Sequence, residues 1–392
     1  MFAKITVSCL LFLFLTPASA AHAQEPVTDI SQSINHLKKI SAENPPELNT
    51  ERIAPLIRLA LDESRREEEL PKLNGMSGAF YKFDVPATVS DIIRYGYNPE
   101  MPSYVLRPSC VRYSNWKETY ADQSNTDFST LWEKADNPPS NPLIIQGLEY
   151  EEITPDHSSG AYYGYDQFRT LALFESQNAT VFLSICLQDQ KSSVGQKGEI
   201  LGNDTDWNYF YSGEKGITKT GLSWADSYIY SAFTITLYIQ KPDETESICV
   251  CLNWLDAGWM GMNFVKSKHI TEGLKRFARD LHTIFSSQKL PAAEKITAFQ
   301  KKLADCPEKK ITKIYQEILS NLCAEFEGDL LREYCPQINN SKFAKKVPRK
   351  YMENRIGLLR LKKWLGRDES SPDIPESICQ ESSANNTFQG QN

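Results

Sequence analysis

Between Asn74 and Lys266 apolar residues recur at every second position, and on both sides of this region they recur every third or fourth. Alternation with period two marks a strand with one buried face, and a 3.6-residue period marks a helix. A run of strands set between runs of helices predicts an α+β fold built on an antiparallel sheet, rather than alternating strand and helix with a parallel one.

The strands can be read individually. Arg169 to Phe174 and Thr180 to Leu187 flank Glu175-Ser176-Gln177-Asn178-Ala179 and predict a hairpin. From Tyr228 to Ile239, Ile229, Phe233, Ile235, Leu237 and Ile239 alternate with Tyr228, Tyr230, Thr234, Thr236 and Tyr238. Ile248, Val250, Leu252 and Trp254 share a side that excludes Cys249 and Cys251. The sheet therefore has one aliphatic face and one aromatic, polar or cysteine-bearing face.

Helical stripes precede and follow it. Ile30, Ile34, Leu37 and Ile40 form one; Ile53, Leu56, Ile57, Ala60 and Leu61 form a second, starting at Asn49 or Thr50 or near Pro55. Glu67, Glu68 and Glu69 would close that second helix where its dipole favours cations. Ile270, Leu274, Phe277, Ala278, Leu281, Ile284 and Phe285 predict a long amphipathic helix covering the aliphatic face. Further helices follow from Pro291 to Pro307, from Ile311 to Phe326 and from Arg349 to Leu365. The expected organisation is a signal peptide over 1–23, N-terminal helices over 24–73, the sheet with its covering helix over 74–288, C-terminal helices over 289–367 and a disordered tail over 368–392.

The N-terminus runs from Lys4 through an apolar stretch, Ile5 to Leu15, to small residues ending at Ala20 or Ala23, the layout of a secretory signal. That places the mature chain in the periplasm or outside the cell. Of nine cysteines, Cys9 lies in the signal, leaving Cys110, Cys186, Cys249 and Cys251 in the strand region and Cys306, Cys323, Cys335 and Cys379 in the helical region as disulfide candidates, paired within each group. Cys186 could meet Cys249 or Cys251; Cys306 and Cys323 are too far apart along the helices to bond each other.

A net charge of −7 argues against nucleic acid as a partner. No cofactor motif, metal-ligand spacing or catalytic motif stands in the chain, so a non-catalytic binding or interaction protein is the expectation, with a hydrolase of cell-envelope polymers such as glycans as the rival. Partners open to it are an envelope protein, a glycan or an anionic membrane surface. Trp207, Tyr209, Tyr211, Trp224, Tyr228 and Tyr230 are candidate ligand or partner contacts if exposed, and packing residues if buried. Asp204-Thr205-Asp206-Trp207-Asn208 opens like a calcium loop, but Tyr209 and Lys215 occupy the positions of its glycine and glutamate, so a polar turn is expected. Glu149 and Glu151 share one side of a strand at a spacing known from glycosidases. Residues 341–367 carry ten Lys or Arg and one acidic residue, Glu353, on a helix with two apolar sides, which predicts packing. Gly258 to Phe264 reads as a loop wedged between sheet and helix, or as an adaptable methionine-bearing contact.

Overall fold

The computed structural model describes residues 27–42, 47–120, 127–218, 226–339, 343–367, 374 and 378. The expected signal peptide, Trp224 and Cys379 lie outside them. In chain order come helices α1 (Val27–Ile40) and α2 (Thr50–Leu61), strands β1 (Glu67–Leu73) and β2 (Met76–Val85), helix α3 (Val89–Gly96), strand β3 (Val111–Tyr120), helix α4 (Phe128–Glu133), and strands β4 (Leu143–Ile153), β5 (Ala161–Tyr162), β6 (Gly164–Ser176), β7 (Ala179–Gln188) and β8 (Gln196–Ile200). After a tight turn at Asp204–Asp206 follow β9 (Tyr209–Lys215), β10 (Ser227–Gln240), β11 (Ser247–Trp259) and β12 (Met262–Asn263), then helices α5 (Ser267–Phe285), α6 (Ala293–Ala304), α7 (Glu308–Glu325), α8 (Asp329–Asn339) and α9 (Arg349–Trp364).

The fold is α+β. Its main sheet has the order β1-β2-β11-β10-β7-β6-β4-β3, with β12 paired to β11, and a small second sheet has the order β5-β8-β9. Every pairing in both is antiparallel. Two-residue turns close the β1–β2 and β6–β7 hairpins. Asn74-Gly75 takes φ of 51° and 87°, and Gln177-Asn178 takes 54° and 58°, the left-handed values whose twist matches paired strands.

The β region starts earlier than expected. α2 begins at Thr50 with the Asn49 side chain accepting the Arg52 amide, and it ends before Asp62. Glu67, Glu68 and Glu69 are not helical: they pair with Tyr81, Phe80 and Ala79 as edge strand β1. Charged residues suit a sheet edge, where they discourage pairing with another chain. Helices α3 and α4, inside the region read as β, were not expected.

The largest correction concerns which face α5 covers. The aliphatic face, including Val181, Leu183, Phe233, Ile235, Val250 and Leu252, packs against Leu37, Ile53, Leu56 and Ile57 of α1 and α2. Helix α5 lies on the other face, where Ile270, Leu274, Leu281 and Ile284 cluster with Phe182, Tyr238, Cys249 and Cys251. Buried thiols behave as small hydrophobes, so this face can also be covered. Ile229 leaves the aliphatic face because a bulge between Ile229 and Ser231 changes the register; it packs with Ala161 and Tyr163.

Helices α6 to α9 form a separate cluster with Phe210 of β9, joined by Ile374 and Ile378 from the segment expected to be a disordered tail. A disulfide joins Cys323 of α7 to Cys335 of α8, with Cα atoms 5.8 Å apart. Cys306 is also disulfide-bonded. By contrast, Cys186, Cys249 and Cys251 in the sheet and Cys110 just before β3 are free thiols. For the three on strands the register explains it: Cys186 pairs with Thr234 of β10, while Cys249 and Cys251 of β11 pair with Tyr238 and Thr236 of the same strand. A whole strand thus separates Cys186 from the other two, and neighbouring strands are about 4.8 Å apart.

Candidate functional site

Toward the end of the sheet where β11 nears its hairpin, the face under α5 turns polar. Arg169 of β6 pairs with Cys186 of β7, Cys186 with Thr234 of β10, and Thr234 with Asn253 of β11, giving one row across four strands. Glu151, Tyr165, Gln167 and Gln188 flank the row, and Ile270, Gly273, Leu274 and Phe277 of α5 lie above it. Between them is a cavity of about 320 Å³, in the size range of small-molecule sites. A void of about 30 Å³ near Tyr351 is too small for more than water, and a groove of about 570 Å³ has walls from α1 and α2 alone.

Its charged wall is internally balanced. Arg169 donates through Nε to Glu149 and through a terminal nitrogen to Ser184 Oγ at 2.9 Å. Gln167 adds a bond to Glu149 at 2.9 Å. Arg107 and Tyr165 each donate to Glu151 at 2.8 Å. Burial raises the Glu151 pKa, but Arg107 and Arg169 outweigh it and hold the carboxyl below its usual range. Glu149 and Glu151 are therefore held beside arginines on one strand, whereas glycosidase carboxylates flank a substrate from opposite sides.

Gln188 differs. It is 1 % exposed, and its Nε2 donates to the backbone oxygens of Gln190 at 2.9 Å and Ile229 at 3.3 Å. Those two acceptors fix the amide orientation and leave Oε1 buried without a hydrogen-bond partner among the described residues. Asn253 Oδ1 is in the same condition. A buried acceptor left unpaired costs about 1–3 kcal/mol, and both residues line the cavity.

The roof is held rigidly. Besides its apolar side, α5 buries Arg276 and Asp280, which point to partners off the sheet. Arg276 makes two bonds to the Asp204 carboxylate, at 3.0 and 2.8 Å; Arg279 also binds it, and Tyr209 donates at 2.9 Å. The expected polar turn at Asp204 is thus a clamp on α5. Asp280 accepts the Ser109 amide at 2.8 Å, the Ser109 hydroxyl at 2.6 Å and Trp207 Nε1 at 3.0 Å.

Burial pushes the Asp280 pKa up to about 7, with the Ser109 and Trp207 bonds and Arg276 pulling against it. A carboxyl whose folded pKa is raised binds more protons folded than unfolded. Its contribution to stability is present near pH 4 and is lost as pH rises toward 7. The expected result is that wild-type stability minus that of Asp280→Asn falls over this window, at a slope of up to about 1.4 kcal/mol per pH step of one. Urea melts at a series of pH values measure it, and a difference that rises with pH contradicts the assignment.

The sequence-derived aromatic candidates do not form one surface. Trp207 and Tyr209 are 1 % and 3 % exposed and serve the Asp280 and Asp204 clamps. Tyr211 is half-buried with the Arg112 guanidinium 3.9 Å from its ring centre. Tyr228 and Tyr230 are half-buried on β10, apart from those three in the order of the sheets. Trp224 lies outside the described residues. The basic helix turns its charge inward: Arg355 donates to Trp207 O at 3.0 Å, Lys362 to Asn208 Oδ1 at 3.1 Å, and Arg349 to Cys306 O at 2.6 Å.

No family model matches the chain. A search of curated proteins gives no match either, so the site is read from its own geometry. Among the described residues no group of three or more His, Cys, Asp or Glu is placed to hold a metal ion.

Three thiols reach the cavity wall, and their state bears on chemistry. Burial pushes Cys186 up to about 11 despite Arg169, and Cys110 up to about 12. At neutral pH both are protonated, and a protonated thiol is a poor nucleophile. Cys249 and Cys251 are 0 % and 1 % exposed. All four free thiols are expected to resist a thiol-modifying reagent in the native state and react only on unfolding. Peptide mapping after brief labelling checks this, and rapid native labelling of Cys186 would contradict it.

Proposed function

We propose that this is an exported, non-catalytic binding protein whose ligand occupies the cavity between the polar row and α5. The observation that carries the reading is the buried Gln188 Oε1 of a residue lining the cavity, oriented by two backbone carbonyls and left without a partner among the described residues. The ligand class follows from the lining. An N–H or O–H donor meets Gln188 and Asn253, and an apolar body lies along Leu255, Ile270, Leu274 and Phe277.

Held carboxylates and protonated thiols favour binding over hydrolysis of envelope polymers. A hydrolase needs a carboxyl that keeps a proton near neutral pH or an activated nucleophile; at the cavity wall Glu151 and Cys186 are shifted the opposite way, and Asp280, whose pKa is raised, is committed to Ser109 and Trp207 off the sheet. Export rests on the N-terminal sequence, and the Cys323–Cys335 bond is in keeping with it.

The test is capture. The protein is equilibrated with the small-molecule fraction of a cell extract, desalted and denatured, and the released compounds are weighed by mass spectrometry. A compound retained by the wild type and depleted with Gln188→Leu supports the proposal; nothing retained above a blank column overturns it.

A further inference from the structure

The loop read from sequence as wedged between sheet and helix is instead an exposed hairpin tip. Trp259 pairs with Met262, and Gly258 with Asn263. Met260 and Gly261, at φ 55° and 74°, make the turn between them. Met260 is 86 % exposed, Met262 50 % and Phe264 42 %. Among the described residues these are the large hydrophobic side chains that stand exposed, and all fall within five positions. Singly exposed apolar residues are ordinary, but a concentration of them marks a contact.

The turn itself is informative. Its two positions favour Asn-Gly, as at Asn74-Gly75. A methionine in the left-handed region is unfavourable, and at this exposure its side chain gains little packing in return. Strain of this kind gathers where function requires a residue.

The surroundings indicate the partner. The Trp259 and Phe264 rings stack with centres 3.9 Å apart. Tyr230 accepts the Gly261 amide at 2.8 Å, and the neighbouring Tyr228 ring has Lys191 Nζ 4.0 Å from its centre. From Gly258 to His269 there are two lysines, the exposed Lys266 and Lys268, and no acidic residue, in a chain of net charge −7. Apolar side chains at a point, tryptophan and tyrosine beneath them and cations behind match the layers of an anionic lipid surface. A tip of this size falls far short of the ~800 Å² per partner that a stable protein interface buries.

We infer that the β11–β12 tip inserts Met260, Met262 and Phe264 into an anionic membrane surface, with Lys266 and Lys268 at its headgroups. The experiment is co-sedimentation of the full chain with phosphatidylglycerol–phosphatidylcholine vesicles and with pure phosphatidylcholine vesicles. The wild type is expected to sediment with the anionic vesicles. Met260→Asn with Met262→Thr is expected to lose at least tenfold in partition while its Tm is unchanged or higher, because Asn-Gly suits the turn. Lys266→Gln with Lys268→Gln is expected to weaken binding to the anionic vesicles only. Failure of the wild type to sediment, or equal sedimentation of the methionine variant, overturns the inference. So does light scattering that shows a dimer dissolved by the same variant, which assigns the tip to a second copy of the chain.

Discussion

Arg169→Met is expected to destabilise the fold by about 3–5 kcal/mol, the scale seen when one partner of a buried ion pair is removed. Arg169, Glu149 and Glu151 are 5 %, 4 % and 6 % exposed. Arg169 bonds Glu149 directly and stands 3.8 Å from Glu151. Without the guanidinium, Glu149 keeps the neutral Gln167 amide as a hydrogen-bond donor and the more distant charge of Arg107. Water cannot replace the lost partner cheaply at such burial. Removing the stranded charge as well should recover part of the loss. Urea denaturation of Arg169→Met, Glu149→Gln and the double variant should give a double-variant loss smaller than the sum of the singles. Additive losses, or an Arg169→Met loss under about 1 kcal/mol, would mean that the ion pair does not hold the cavity wall.

Gly273→Phe is expected to abolish ligand binding, by at least ~100-fold or about 2.7 kcal/mol, without loss of stability. Gly273 lies in the interior of α5 and lines the cavity. A Cβ built there meets no atom within 4 Å. A glycine inside a helix is about 1 kcal/mol less favourable than alanine, so Gly273→Ala should raise the melting temperature. Phenylalanine would extend into the space the ligand needs. Binding isotherms and thermal melts together separate this from unfolding. A variant that binds normally while equally stable contradicts the assignment of the cavity.

Much of the fold was legible because burial obliges period two or 3.6 to show in the residues. The hairpin at Gln177-Asn178, the antiparallel sheet and the stripe from Ile270 to Phe285 were all readable. Which face α5 would cover was not. Both faces bury enough apolar surface to accept a helix, and periodicity within a strand carries no record of which helix arrives. The same ambiguity hid the site. Cys186, Thr234 and Asn253 each stand between two apolar residues, and Arg169 between Phe168 and Thr170, as they would on a solvated face. Their convergence depends on pairing register, set by contacts between residues up to 48 positions apart. Two local signals were available: Gly273 inside the best helical stripe, and Arg276 with Asp280 one turn apart on it. A glycine and two charges in so regular a helix indicate that more than one side is engaged. The aromatic cluster misled because a tryptophan or tyrosine looks alike in sequence whether its polar atom meets water or, as with Trp207 and Asp280, a buried carboxylate.

The hairpin tip shows the reverse error. Glycines around Trp259, Met260 and Met262 suggested confinement, and Gly258 does lie where a Cβ would meet the Met262 backbone oxygen at 2.1 Å. That closeness holds the two strands together and leaves the turn projecting.

The most direct measurement is a crystal structure of the protein with the compound it retains from extract. The expected result is that compound between the Arg169-to-Asn253 row and α5, with one of its N–H or O–H groups at hydrogen-bonding distance from Gln188 Oε1. Ordered water filling that cavity, with the compound held elsewhere such as the groove between α1 and α2, would contradict it.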